Sequence, residues 1–142
     1  MGAYRFVEDV AIADCAIELT GRDLDDLFET AAAALTALMV DPATVRAHLE
    51  RAVTLEAEAL DLLLHDWLSE MIYLKDAERQ LYTECRARVS GAGPFRVDGL
   101  LRGGVIDPGR TALGADPKAI TLHQLTVEAV RDGWRARVVI DI

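Results

Sequence analysis

The sequence predicts an α+β two-layer sandwich, with two helices packed on one face of a mixed, largely antiparallel sheet. Three observations predict it. Two segments repeat apolar residues at helical spacing, and the remainder alternates apolar and polar residues like half-covered strands. The order runs strand, helix, strand, helix and then a series of strands, which suits helices segregated to one side of a sheet. With 142 residues and neither a linker nor an internal repeat, residues 1–142 read as one domain.

Each element has a local cause. Cys15, Ile17 and Leu19 oppose Asp14, Ala16 and Glu18, as on a strand covered on one side. After Gly21, Asp23 is placed to cap a helix whose stripe is Leu24, Leu27, Phe28, Ala31, Leu35 and Leu38. That helix stops before Asp41-Pro42, because a residue preceding proline is pushed away from helical geometry. Val53, Leu55 and Ala57 oppose Thr54, Glu56 and Glu58 on a second strand. A second helix spans about Ala59 to Lys75, with Leu60, Leu63, Leu64, Trp67, Leu68, Met71 and Ile72 on its apolar face. Leu81 to Val89 alternates again, Gly91-Ala92-Gly93-Pro94 turns the chain, and Phe95–Leu101 returns as a strand. Asp132-Gly133 then predicts a type I′ hairpin between Ala119–Arg131 and Trp134–Ile142.

Charge narrows the function classes. Twenty-four acidic residues against 15 basic give a net charge of -9. Nucleic-acid affinity comes mainly from Lys and Arg displacing counterions, so strong direct binding of nucleic acid is excluded. An acidic surface suits a basic protein partner instead. No apolar run approaches the roughly 18 residues of a membrane helix, so no membrane association is expected. Cys15 and Cys85 have no disulfide-framework spacing and no signal-peptide pattern opens the sequence, which predicts buried free thiols in a cytoplasmic protein.

Chemistry concentrates at the two ends of the chain. On the last strand Trp134, Ala136, Val138, Ile140 and Ile142 share one face, and Arg135, Arg137, Val139 and Asp141 share the other. Asp14 likewise falls on the polar phase of its own strand. If the two strands are neighbours, Asp14, Asp141 and the carboxylate end at Ile142 form an oxygen-rich cation site, as hard divalent ions prefer. From the residues alone, two solvated carboxylates are the plainer reading, since Asp is common on a strand's polar face. Lys118, following Pro117, is placed to meet a phosphate or an acidic group, or is an ordinary surface lysine. His48, His65 and His123 lack metal-ligand spacing, and neither cysteine sits in a nucleophile motif. Gly103-Gly104 and Gly109 read as a loop with no helix behind it, which does not make a phosphate cradle.

Several stretches in order resemble archease, the small partner protein of RtcB-type RNA ligases. The segment from Leu62-Leu63-Leu64-His65-Asp66-Trp67 to Leu74 is similar to the family's second-helix signature. Asp116-Pro117-Lys118-Ala119-Ile120-Thr121-Leu122-His123 is similar to its "VKAITYH" stretch, and Ile140-Asp141-Ile142 to its ending. The early "DHTAD" motif is replaced by Glu8-Asp9-Val10-Ala11-Ile12-Ala13-Asp14, in which the family's histidine is lost. The resemblance implies the same α+β fold and a non-catalytic activator of a tRNA-splicing RNA ligase. Such activators promote GTP-dependent guanylylation and turnover during joining of 2′,3′-cyclic-phosphate and 5′-hydroxyl RNA ends. It also implies a divalent cation, calcium first and magnesium or manganese as alternatives. Its ligands would be Asp14, Asp141 and Ile142, with Glu8 or Asp9 as additional carboxylates, and the family's loop lysine maps to Lys118. Two other readings stand beside it: a small metal-dependent hydrolase, and a chaperone-like binding module whose cation is structural.

Overall fold

The structure, a computed structural model, describes residues 2–7 and 14–142. Strand β1 (Ala3–Val7) pairs with β2 (Asp14–Gly21), and helix α1 (Leu24–Met39) follows directly. After β3 (Leu49–Ala57) come α2 (Leu60–Glu78), β4 (Gln80–Gly91) and β5 (Phe95–Val105). A long excursion then leads to β6 (Ala119–Ile120), β7 (Thr126–Val130) and β8 (Gly133–Asp141). The α+β class holds, and every pairing among the described residues is antiparallel. The strands divide into two sheets, ordered β1-β2-β8-β6 with β7 also on β8, and β3-β5-β4.

Helix boundaries follow side-chain chemistry. Asp23 Oδ1 accepts the Asp26 N–H at 2.8 Å and so caps α1. At the other end, backbone N–H groups of Gly114 and Ala115 satisfy the Met39 and Leu38 carbonyls at 2.7 and 3.0 Å, and α1 stops short of Pro42 as expected. The second helix runs one turn past Lys75, closing on Arg79 in the left-handed region at φ 53°. Among the described residues no helix is long and apolar enough to cross a membrane.

One side chain joins the layers. Trp67 of α2 is fully buried, its indole N–H donates to the Phe28 carbonyl of α1 at 2.9 Å, and its ring covers Gly99 of β5. A Cβ at Gly99 would lie 2.4 Å from that ring, so only glycine fits. α1 also closes the open edge of β4. Asp25 and Glu29 accept the Val89 and Ala87 N–H groups at 2.7 and 3.0 Å, and Thr36 Oγ1 donates to the Tyr82 carbonyl at 3.0 Å. An edge that would otherwise offer bare ladder groups is thereby covered.

Four expectations are corrected. The pattern at Leu81–Val89 is broken by a bulge between Tyr82 and Glu84, which buries Tyr82 as well as Leu81. Gly103 and Gly104 lie within β5 rather than in a loop. The predicted single strand Ala119–Arg131 is split into β6 and β7. Ala119 faces Asp141 and Thr126 faces Arg137. Seven residues forward on one side thus match four back on the other, so three are looped out around Gln124, whose φ is 54°. The hairpin turn lies at Arg131-Asp132, one residue earlier than Asp132-Gly133, because Gly133 pairs with Val130. Gly133 is needed there at φ 147°, and its missing Cβ makes room for the Gly21 carbonyl, 2.2 Å from where it would sit.

Two stability tests follow from these contacts. Gly99→Ala should overpack the Trp67 ring and lower the urea-denaturation stability by roughly 1–3 kcal/mol. Asp26 is buried, and the Arg22 backbone N–H at 2.9 Å holds its carboxyl below the ordinary value of 3.8 against the opposing effect of burial. A depressed carboxyl contributes stability in full above that ordinary value and loses it as the pH falls further. Urea midpoints of the wild type and Asp26→Asn should therefore differ most near neutrality and converge as the pH drops below about 4.

Candidate functional site

The β2–β8 ladder determines where the two end aspartates lie. Ile17 and Leu19 on β2, and Ala136, Val138 and Ile140 on β8, turn inward into the core. Side chains alternate across a strand, so Asp14 and Asp141 are left on the outer face. The register sets Asp14 directly opposite Asp141. Directly opposed residues have Cβ atoms about 4.5–5.5 Å apart, so one ion can bridge both carboxylates. Both residues are half-buried. Ile142 follows Asp141 directly, with its side chain packed against the core.

Lys118 arrives from the other edge of β8. Its backbone N–H donates to the Asp141 carbonyl at 2.7 Å, and Ala119 lies opposite Asp141 in the β6–β8 register. The structure therefore brings Asp14, Asp141, Ile142 and Lys118 to one corner of the larger sheet. Glu8 and Asp9 lie outside the described residues. Among the described residues no cluster of three or more His, Cys, Asp or Glu side chains forms, so Asp14 and Asp141 have no third such partner there. Farther along the same face Ala16 and Val139 are buried, and Glu18 pairs with Arg137 at 3.9 Å and with Arg5. The carboxylate pair thus sits beside a small dry patch, followed by an ion pair.

Two residues near this corner were not evident as site residues from sequence spacing. Lys75 of α2 reaches Asp116, two residues before Lys118, and Asp76 at 2.5 Å. Burial would lower the Lys75 pKa, but the bonds to Asp116 and Asp76 outweigh it and the pKa is raised. His65 places Nε2 3.0 Å from the Ile120 carbonyl, two residues after Lys118. A carbonyl only accepts, so Nε2 donates. Lys75 falls in phase with the apolar stripe of α2 and His65 at its border, but Asp116 and Ile120 are more than forty residues away from them in sequence.

Nucleophilic chemistry by the thiols is disfavoured. Both cysteines are free, and each is half-buried rather than fully enclosed. Desolvation, with the Glu29 carboxylate adding to it, pushes the Cys85 thiol up to about 12, and burial also raises Cys15.

The chain has clear relatives. A model of the archease protein family matches residues 4–142. The archease of Archaeoglobus fulgidus is 36% identical over 139 residues, covering 98% of each chain. That of Methanosarcina acetivorans is 31% identical over 141 residues, covering 98% of this chain and 95% of its own. Among solved structures, Methanobacterium thermoautotrophicum protein 1598 superposes with a TM-score of 0.80 at 27% identity, covering 98% of both chains. A Thermotoga maritima archease, described as a possible chaperone, has a TM-score of 0.64 at 20% identity and covers 97% of this chain and 98% of its own, a likeness of fold alone.

At pH 8 the Cys85 thiolate should be scarce, and its alkylation by iodoacetamide should run roughly a thousandfold slower than that of an unperturbed thiol. Mass-spectrometric time courses resolve the two cysteines.

Proposed function

This chain belongs to the archease family, and from that premise we propose that it activates an RNA ligase of the RtcB type by protein contact. In this reading it promotes GTP-dependent guanylylation and turnover of the ligase as RNA ends bearing 2′,3′-cyclic phosphate and 5′-hydroxyl groups are joined, as in tRNA splicing. The observation that carries the reading is the pairing of Asp14 with Asp141 in register, with the Lys118 backbone bonded to the Asp141 carbonyl. A net charge of -9 suits approach to an enzyme that must itself present basic surface to RNA.

The donor set fits a hard divalent cation. Like charges directly opposed on adjacent strands are destabilising by themselves, by roughly 0.2–1 kcal/mol, and an ion between them turns that cost into attraction. Asp14 and Asp141 would hold the cation with a main-chain oxygen of Ile142, and water would complete the shell. Calcium is the first candidate, with magnesium and manganese as alternatives. The cation would supply fixed positive charge at this corner. Lys118 is exposed and placed to meet a phosphate or carboxylate of the partner.

Two measurements test this. Calcium at a hundred times its Kd should stabilise the protein by about 2.7 kcal/mol, seen as a rise of several degrees in Tm. Asp14→Asn and Asp141→Asn should abolish that rise while slightly raising Tm in the presence of chelator. In the functional assay, ligase guanylylation is followed with the wild type, with each Asn variant and with Lys118→Ala. Stimulation by the wild type that the variants lack is expected. A ligase indifferent to the wild type overturns the activator reading, and partner-independent phosphoester turnover would favour a hydrolase.

A further inference from the structure

We propose that Lys75 and His65 are positioning residues for Lys118: two side chains of α2 hold segment 116–120 at its two ends and thereby keep Lys118 beside Asp141. The inference rests on the reading that Lys118 belongs to the functional corner.

The segment meets the core at Pro117 and Ile120, which are buried, while the chain leading into it is open. Leu113, Gly114 and Asp116 are exposed, and a cleft of about 230 Å³ bordered by Met39, Lys75, Arg79, Ile106 and Leu113 lies beneath them. Apolar burial therefore seats Pro117 and Ile120 but leaves Asp116 to a polar contact. Backbone bonds to the end of α1 stop at Ala115, and the next contact is the one between Lys75 and Asp116. On the far side, His65 Nε2 reaches the Ile120 carbonyl at 3.0 Å, while its Nδ1 lies 3.0 Å from Asp66 Oδ1. Lys118 lies midway between these two attachments. Both come from one helix, which Trp67 fastens to the core, so the lysine is referenced to a rigid element.

The asymmetry of the ion pair argues for positioning rather than for stability. The Lys75 side chain is 9% exposed, whereas that of Asp116 is 85% exposed. Replacing Lys75 by an apolar residue of similar length leaves only solvated carboxylates behind, so the fold should tolerate it. What the loop loses is its sole side-chain attachment to α2 before Pro117 among the described residues.

Native-state hydrogen exchange of the Lys118 amide, which bonds to the Asp141 carbonyl, reads this directly. Lys75→Met and Asp116→Ala should each speed exchange at Lys118 and Ala119 by about tenfold, and the double variant should do no more than either single one. Lys75→Arg should restore slow exchange, and core amides of β5 should stay unchanged throughout. His65→Ala should do the same at Thr121, the residue after Ile120. Ligase stimulation should fall in Lys75→Met and return in Lys75→Arg. Unchanged exchange at Lys118 in both single variants, or an equal rise at every core amide, overturns the proposal. A ligase indifferent even to the wild type would sink the activator reading alone, because the exchange result stands without any ligase. If Lys75→Met fails to fold, Asp116→Ala, an exposed change, decides the matter.

Discussion

The eight-pair ladder between β2 and β8 is the constraint on which the rest of the molecule depends. It joins the two ends of the described chain, and it has no local cause, since its strands lie more than a hundred residues apart. A slip of one residue would turn Ile17, Leu19, Ala136, Val138 and Ile140 out to solvent. The cost of that exposure is what holds Asp14 opposite Asp141. Two carboxylates that would separate if free to do so are kept together by apolar burial on the opposite side of the same strands.

The helices tie the smaller sheet into the same body. Trp67 ties α2 to α1 through the Phe28 carbonyl and to the smaller sheet through Gly99. Asp25, Glu29 and Thr36 then tie α1 to the exposed edge of β4 by side-chain hydrogen bonds in place of a neighbouring strand. These bonds explain why polar residues persist on a helix otherwise buried. They also spread the chain's acidity, since two of its carboxylates are spent on backbone amides and not on solvent.

Legibility from sequence followed the range of the interaction. Both helices were readable from period, and α1 also from its cap, because a 3.6-residue stripe and the Asp23 side chain act within a few residues. Strand phase was readable too, and it correctly left Asp14 and Asp141 on outward faces. Which strands pair was not, because no local rule selects β8 as the neighbour of β2. There the family resemblance supplied the expectation, and the register supplies the geometry. The split of Ala119–Arg131 escaped for a related reason: its alternation is continuous, and only pairing with β8 reveals the three looped-out residues. The roles of Lys75 and His65 were not readable either, since their partners at Asp116 and Ile120 are set by tertiary packing.

The corner is built from two kinds of support, and the difference bears on how it can work. Asp14 and Asp141 form the end pair of an eight-pair ladder whose inner face is core, so their register is a property of the fold. Lys118 immediately precedes a two-residue strand, reached by a loop that is exposed from Ala112 to Gly114. Its main chain is bonded to Asp141 and buried Pro117 and Ile120 lie on either side, but its own side chain is exposed and the loop before it is fixed at Asp116 by a polar contact. Discrete contacts can be broken and remade at small cost, whereas the ladder cannot shift without opening the core. An anionic centre of fixed geometry beside an adjustable cation suits recognition of a partner surface. The fixed carboxylates determine where the charge lies, and the lysine adapts to what approaches.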